Sequence, residues 1–214
     1  MISDIRQAVD FIADWHGIAK GFDNAVDARI PLPLRTVYTA FRNQIGERVR
    51  PGTGPFLSTN DHLTPYESLV LEGDTFEFCF ENQGIWSCRC PIQVSDGPVF
   101  CNAPEMWDAA ATGYTEVCDS LDHFLTTFVL QESVLASEYL FSCDPDAAAA
   151  FVESECNDVW VNGEYIYREP THSFYLHSET FLLMKYRGFH LASNQKSPAS
   201  SLQSALGAKR VCAS

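Results

Sequence analysis

Residues 76–90 read Phe76-Glu77-Phe78-Cys79-Phe80-Glu81-Asn82-Gln83-Gly84-Ile85-Trp86-Ser87-Cys88-Arg89-Cys90. Three phenylalanines alternate with Glu77, Cys79 and Glu81, the period of two expected of a strand with one deeply buried face. Asn82-Gln83-Gly84 is a turn signal, and the stretch from Ile85 to Cys90 resumes strand character, so 76–90 reads as a hairpin. Pro91 and the Asp96-Gly97-Pro98 turn bound a third short strand at Val99–Asn102. A sheet starting here has to be completed from elsewhere in the chain, and the flanking segments decide how.

Upstream, Ile5, Ala8, Val9, Ile12, Trp15 and Ala19 fall at helical spacing and predict an amphipathic helix over 3–20, with Gly21 as its stop. Pro31 and Pro33 precede Leu34, Val37, Tyr38, Phe41 and Ile45, a second stripe that predicts a helix over 33–45. Residues 46–56 are rich in Gly and Pro and read as a loop, followed by Leu57–Leu63 and Tyr66–Glu72 in extended or irregular form. Downstream, Ser120 is placed to cap a helix over 120–137, with Asp122 in its first turn and Leu121, Phe124, Leu125, Phe128 and Leu135 on a shared face. Four consecutive alanines support a short helix at Asp146–Glu153. An antiparallel meander of about four strands follows: Trp160–Arg168 around Asn162-Gly163, Phe174–His177, Thr180–Tyr186 and Phe189–Ala192. Ser197-Pro198 would cap a last helix carrying Leu202 and Leu206 and closed by Gly207. The expectation is an α+β fold: a mostly antiparallel sheet of about six or seven strands flanked by helices, in a single domain over 1–214 without internal repeats.

Charge narrows the function. The chain has 28 Asp plus Glu against 14 Lys plus Arg, a formal net charge of −14, too acidic for a general polyanion-binding surface, which disfavours direct nucleic-acid binding. Residues 51–158 hold nineteen carboxylates and one base, Arg89, a local charge of −18. That stretch is either a solvated face kept apart by self-repulsion or a landing surface for a basic partner. No run approaches the ~18 apolar residues of a membrane span, and Asp4 and Asp10 stand where a signal peptide needs a basic and then an apolar stretch, so a cytoplasmic protein is expected. The eight cysteines, at 79, 88, 90, 101, 118, 143, 156 and 212, lie mostly in apolar or alternating segments and read as buried free thiols.

Motifs for chemistry are scarce. Cys88-x-Cys90 with Cys79 and Cys101 lacks the CxxC knuckle of a structural zinc site, and His172 and His177, five apart on a strand, point to opposite faces, so no metal and no cofactor are expected. A Cys/His nucleophile pair stays open, since such residues need proximity in space only; no nucleophile elbow, phosphate loop or HExxH helix is present. Glu81, Asn82 and Gln83 at a strand end are suited to pairing groups that a turn leaves unsatisfied, and Gly84 to a positive φ. Trp86 beside them is a core anchor or an exposed contact residue. Trp107, in a polar loop region, is equally open between exposure and core packing.

Glu81-Asn82-Gln83-Gly84-Ile85-Trp86 resembles the "ENQG" strand end, followed by an aliphatic residue and an aromatic, of the SUKH superfamily, which groups bacterial immunity proteins with fungal cell-wall synthesis regulators. Other segments resemble that family in the expected order. Ile30-Pro31-Leu32-Pro33-Leu34-Arg35 leading to Tyr38 and Phe41 looks like its "P-x-x-L-x-x-(Y/F)-(Y/F)" helix, and Asn60-Asp61-His62-Leu63-Thr64-Pro65 like its "Q-D-x-L-x-P" segment. Gly97-Pro98-Val99 is similar to its "DPPV" strand entry, Trp107 to its isolated tryptophan, and Ser120-Leu121-Asp122-His123-Phe124-Leu125 to its "S-L-S-E-F-L" helix. The resemblance covers residues 28–137 well, and 138–214 would complete the same fold. Gly97 and Asn60 depart from the usual residues and loosen the subfamily assignment more than the superfamily one.

The resemblance implies a bacterial immunity protein that neutralises a toxin by steric occlusion, without catalysis. A nuclease toxin is basic where it holds phosphate, so an acidic inhibitor gains fast, salt-sensitive association. The expected contact set is Glu105, Asp108, Glu116, Asp119 and Asp122, with Trp107 as anchor; Glu81, Asn82, Gln83, Gly84 and Trp86 are expected to be structural. The alternatives are a regulatory scaffold or a ligand- or peptide-sensing module of the same superfamily and, third, a Cys-dependent hydrolase.

Overall fold

Helix α3, Leu121–Leu135, organises the molecule, because twelve of its side chains are buried and they lie on all of its faces. A helix with so little polar surface has to be enclosed on every side. The computed structural model describes residues 1–20, 26–45, 56–92, 94–108 and 110–211. Gly21, residues 46–55 of the expected loop and Cys212 lie outside the described residues.

Two helices pack on α3 from one direction. Helix α1, Ile5–His16, buries Ile5, Ala8, Val9, Ile12, Ala13 and Trp15; Asp4 caps it by accepting from the Gln7 amide at 2.9 Å. It ends four residues before the expected 20 because Gly17 takes φ 63°, a left-handed cap that stops the helix. Helix α2, Leu32–Phe41, buries Pro33, Leu34, Val37, Tyr38 and Phe41 and tightens into a 3₁₀ turn at Arg42–Gln44.

The first sheet contains β1 (Asp61–Leu63), β2 (Val70–Glu72), β3 (Thr75–Glu81), β4 (Ser87–Pro91), β5 (Val99–Cys101) and β6 (Thr115–Cys118). Its order is β1-β3-β4-β5-β6, with β2 also beside β3. The β3–β4 hairpin is where the alternating phenylalanines place it, but a bulge between Glu77 and Cys79 turns both Phe78 and Cys79 inward, so the strict alternation breaks there. The segment before β1, expected in extended or irregular form, starts with a 3₁₀ turn at Phe56–Ser58.

The second sheet runs β12-β7-β11-β10-β9-β8, from β7 (Tyr139–Cys143), β8 (Asn157–Gly163), β9 (His172–His177), β10 (Phe181–Lys185), β11 (Phe189–Ser193) and β12 (Lys209–Arg210). Along β10, Leu182 and Met184 face the α3 core, while Phe181 and Leu183 join a second cluster under α4 (Pro145–Glu155) and α5 (Ser200–Ala205). A strand covered on both faces has no polar side, which is why β10 reads as a continuous apolar run.

The fold is therefore α+β, with every strand pair antiparallel. It differs from the expected single sheet of six or seven strands in having two sheets of six, because α3 lies against β6 of one and β8, β10 and β11 of the other. Two further details depart from expectation. The last helix starts at Ser200 after Ala199, with no side-chain cap from Ser197. The strand expected over 160–168 stops at Gly163, so Asn162-Gly163 ends β8 and does not turn a hairpin. Gly163 is required by close approach: a Cβ there would stand 2.7 Å from Thr127 Oγ1 of α3 and 2.9 Å from Trp160 Nε1, groups that hydrogen-bond each other at 3.1 Å. Gly163→Ala is expected to lower stability by about 1–2 kcal/mol through overpacking, read by urea denaturation; an unchanged midpoint would contradict it.

Candidate functional site

A cavity of about 210 Å³ opens where six separate segments converge. Asn60 and Asp61 come from the start of β1; Glu81, Ile85 and Trp86 from the β3–β4 turn; Met106 and Trp107 from the 3₁₀ turn Ala103–Met106 and its end; Gln131 from α3. The second sheet's side supplies Tyr165, Ile166 and Tyr167, after β8, and Tyr186 and Arg187 from the β10–β11 turn.

Beneath the cavity lies a buried polar network. Glu132, fully buried on α3, accepts backbone N–H groups from Thr59 (2.9 Å), Asn60 (2.7 Å) and Asp61 (3.2 Å), so its carboxylate fixes the entry into β1. Gln131 Nε2 stands 3.3 Å from both Asp61 Oδ2 and Glu132 Oε1, and the Tyr165 hydroxyl donates to Asp61 Oδ2 at 2.9 Å. On the far side Gln131 Oε1 meets His172 Nε2 at 2.8 Å, and His172 Nδ1 meets the Thr171 hydroxyl at 2.8 Å. This pattern fits a neutral imidazole protonated at Nε2.

The electrostatics follow from burial. Loss of solvent raises the Glu132 carboxyl to about 8, with the Asp61 charge acting the same way. Asp61 rises to about 6, again chiefly by burial, against the bonds from Tyr165, Asn60 and Gln131. His172 is pushed down to about 3 by burial and by the Arg187 charge. Two buried carboxyl groups thus face one another across Gln131 with no ion pair to either among the described residues.

The cavity wall is aromatic. Trp107 lies over Tyr167 with ring centroids 4.7 Å apart, and Tyr186 stacks on His172 at 4.1 Å. The Arg187 guanidinium sits 5.7 Å from the Tyr167 ring centroid and 5.4 Å from that of Tyr186, and donates to the Tyr167 hydroxyl.

The residues singled out from sequence fall into three groups. The Glu81 carboxylate accepts the Gln83 amide at 2.7 Å across the turn, and Gly84 takes φ 71°. Asn82 and Gln83 occupy the turn itself, and Trp86 is 5 % exposed, edge-on to Tyr165 at 6.2 Å. Trp107, by contrast, is 47 % exposed, and Glu105 and Asp108 flank it at the surface. Glu105 bonds the Gly113 amide near the start of β6. Glu116, in mid-β6, pairs with Arg168 at 3.1 Å. Asp119 and Asp122 lie beyond the other end of β6, in a larger cavity of about 560 Å³ at the N-termini of α1 and α3. There Asp122 accepts the Ile5 amide at 2.9 Å, and Asp96 accepts from the Ser120 hydroxyl and the Asp122 amide, so these carboxylates join helix ends. The six expected contact residues are not one patch, and two carboxylates of the acidic middle segment, Asp61 and Glu132, are interior.

Among the seven described cysteines, Cys79, Cys88 and Cys101 are register neighbours across β3, β4 and β5, buried as expected. Burial raises the thiols of Cys79, Cys88, Cys90, Cys118, Cys143 and Cys156. His172 turns toward Gln131 while His177 bonds the Glu155 carbonyl under α4, on opposite faces of β9. Cys118, Asp119 and Glu164 bring their ligand atoms within 4.8 Å of one another, but the Cys118 thiol donates to the Ser120 carbonyl and is pushed up to about 12. Comparison of the chain with protein-family models, curated proteins and solved structures finds no match.

Proposed function

We propose that the chain is a non-catalytic binding protein of SUKH type, an immunity protein that occludes a basic toxin domain, and that the partner docks over the Trp107 cavity. The observation that carries this reading is a convergence of exposed apolar groups. Ile85, Met106 and Trp107, 53 %, 55 % and 47 % exposed, come together at the mouth of one cavity, with Glu81, Glu105 and Asp108 beside them. An apolar centre with a polar rim is the anatomy of a protein-binding patch, and tryptophan is among the commonest energetic anchors. Three segments behind the resemblance, Asn60-Asp61, Glu81–Trp86 and Trp107, meet here although they are far apart in sequence. The net charge of −14 adds long-range attraction for a cationic partner.

The same reading places the protein in a reducing cytoplasm, which suits the seven free thiols among the described residues; no helix of those residues is long and apolar enough to cross a membrane. A sensing module is the second reading, favoured by the perturbed carboxyl groups under the cavity. The raised thiols weigh against the Cys-dependent hydrolase, which needs an accessible thiolate.

The test is capture of a partner from the native host at low salt. Trp107→Ala is expected to weaken retention about tenfold, and Glu105→Lys with Asp108→Lys to slow association several-fold. Asp119→Lys, at the far end of β6, should leave both unchanged. Equal retention by wild type and Trp107→Ala would sink the docking face.

A further inference from the structure

The Trp107 cavity is smaller than the about 300–1,000 Å³ of small-molecule sites, so it suits one long side chain better than a free cofactor. Its charges are unbalanced. Asp61 and Glu81 line it, while the only cation in the lining among the described residues is Arg187. Arg187 is in no ion pair among the described residues; it rests on the Tyr167 and Tyr186 rings. Buried carboxylates without a counter-charge are costly, and a cation brought to them recovers part of that cost. The aromatic wall already holds one guanidinium by its π faces, which shows the chemistry the rest of the wall can offer.

We infer that the cavity receives a single arginine side chain from the docked partner, its guanidinium reaching the Asp61 carboxylate at the floor and lying against the exposed Trp107 ring. This rests on the docking reading above and specifies what the partner must present. Arginine suits the site better than lysine because a planar guanidinium stacks on a ring while bonding a carboxylate edge-on. Asp61 Oδ2 is held by Tyr165 and Gln131, which line the cavity with it, so the acceptor is already fixed in place when the cation arrives.

The test needs no identified partner. The blocked tripeptide Gly-Arg-Gly is titrated into the isotopically labelled protein, following the Trp107 indole resonance, in parallel with its citrulline, lysine and glutamate counterparts. Citrulline keeps the shape of arginine without the charge. The expected result is a dissociation constant on the order of millimolar for the arginine peptide, at least tenfold weaker binding for citrulline, and a similar loss in Asp61→Asn. No response to arginine, equal binding of citrulline, or tighter binding of the glutamate peptide overturns the inference. The citrulline comparison uses only the wild-type chain, so it decides even where Asp61→Asn does not fold. None of these outcomes touches the docking face, which is read separately from partner capture by Trp107→Ala.

Discussion

Replacing Glu132 with alanine lowers the unfolding free energy by about 3–5 kcal/mol, the scale of leaving buried amide donors without an acceptor and opening a side-chain-sized void. The argument starts from what the carboxylate holds. Three consecutive backbone N–H groups, from Thr59, Asn60 and Asp61, end on its two oxygens. Thr59 and Asp61 are buried, so with the carboxylate gone their donors face an apolar helix with no substitute acceptor. A void of side-chain size opens beside α3 as well, since Glu132 has no exposed surface. Glu132→Gln, which keeps one acceptor oxygen and the volume, is therefore expected to cost less than alanine. Urea denaturation of the two variants measures the difference. A loss under about 1 kcal/mol in Glu132→Ala would mean that the 59–61 segment is anchored by something other than this carboxylate.

Glu132 also shows how much of the site could be read in advance. The helix carrying it was legible: Ser120 accepts from the His123 amide at 3.1 Å as a cap should, and the apolar stripe from Leu121 to Phe128 is buried. The stripe could not show that the remaining faces are enclosed too, because the elements covering them, β6, β8, β10 and β11, are short strands whose places depend on pairing. A carboxylate inside the run Phe124-Leu125-Thr126-Thr127-Phe128-Val129-Leu130-Gln131-Glu132-Ser133-Val134 was the available signal. Its partners were not readable, since Thr59–Asp61 lie more than seventy residues away and are reached by folding alone. Trp86 and Trp107 were each open between core and surface. The hairpin settles the first, as β4 follows at once and turns the ring against Tyr165; the 3₁₀ turn Ala103–Met106, which ends at Trp107, settles the second. Tyr165 and Arg187 went unnoticed as site residues because one follows a strand end and the other sits in a turn at φ 49°, positions that ordinary patterning treats as connections.

The same carboxyl predicts an inverted pH dependence near neutrality. Glu132 has its folded-state value raised from 4.5 to about 8, so the folded chain holds a proton that the unfolded chain has already lost. A group raised in this way stabilises fully below its unfolded value, and the contribution disappears as pH rises through the folded value. Between pH 6.5 and 8.5 the wild type should therefore lose about 2 kcal/mol of stability from this one group, by the linkage relation. Two other sets of groups titrate nearby. His16 and His172, lowered to about 4 and about 3 by burial, are neutral in the fold and protonated in the unfolded chain below 6.5, so their contribution grows as pH rises toward 7. The buried thiols, raised in the fold, work in the same sense as Glu132 but only above the ordinary thiol value. Both sets are common to wild type and Glu132→Gln, and Asp61, raised to about 6, is mostly deprotonated at pH 6.5, so the difference between the two stability curves reports chiefly the Glu132 proton. That difference should shrink by about 2 kcal/mol from pH 6.5 to 8.5 as the wild type weakens relative to the variant. Parallel curves across this window would show that the three amide donors keep Glu132 ionised despite its burial, and the counter-charge missing from the cavity floor would then be larger by one full unit.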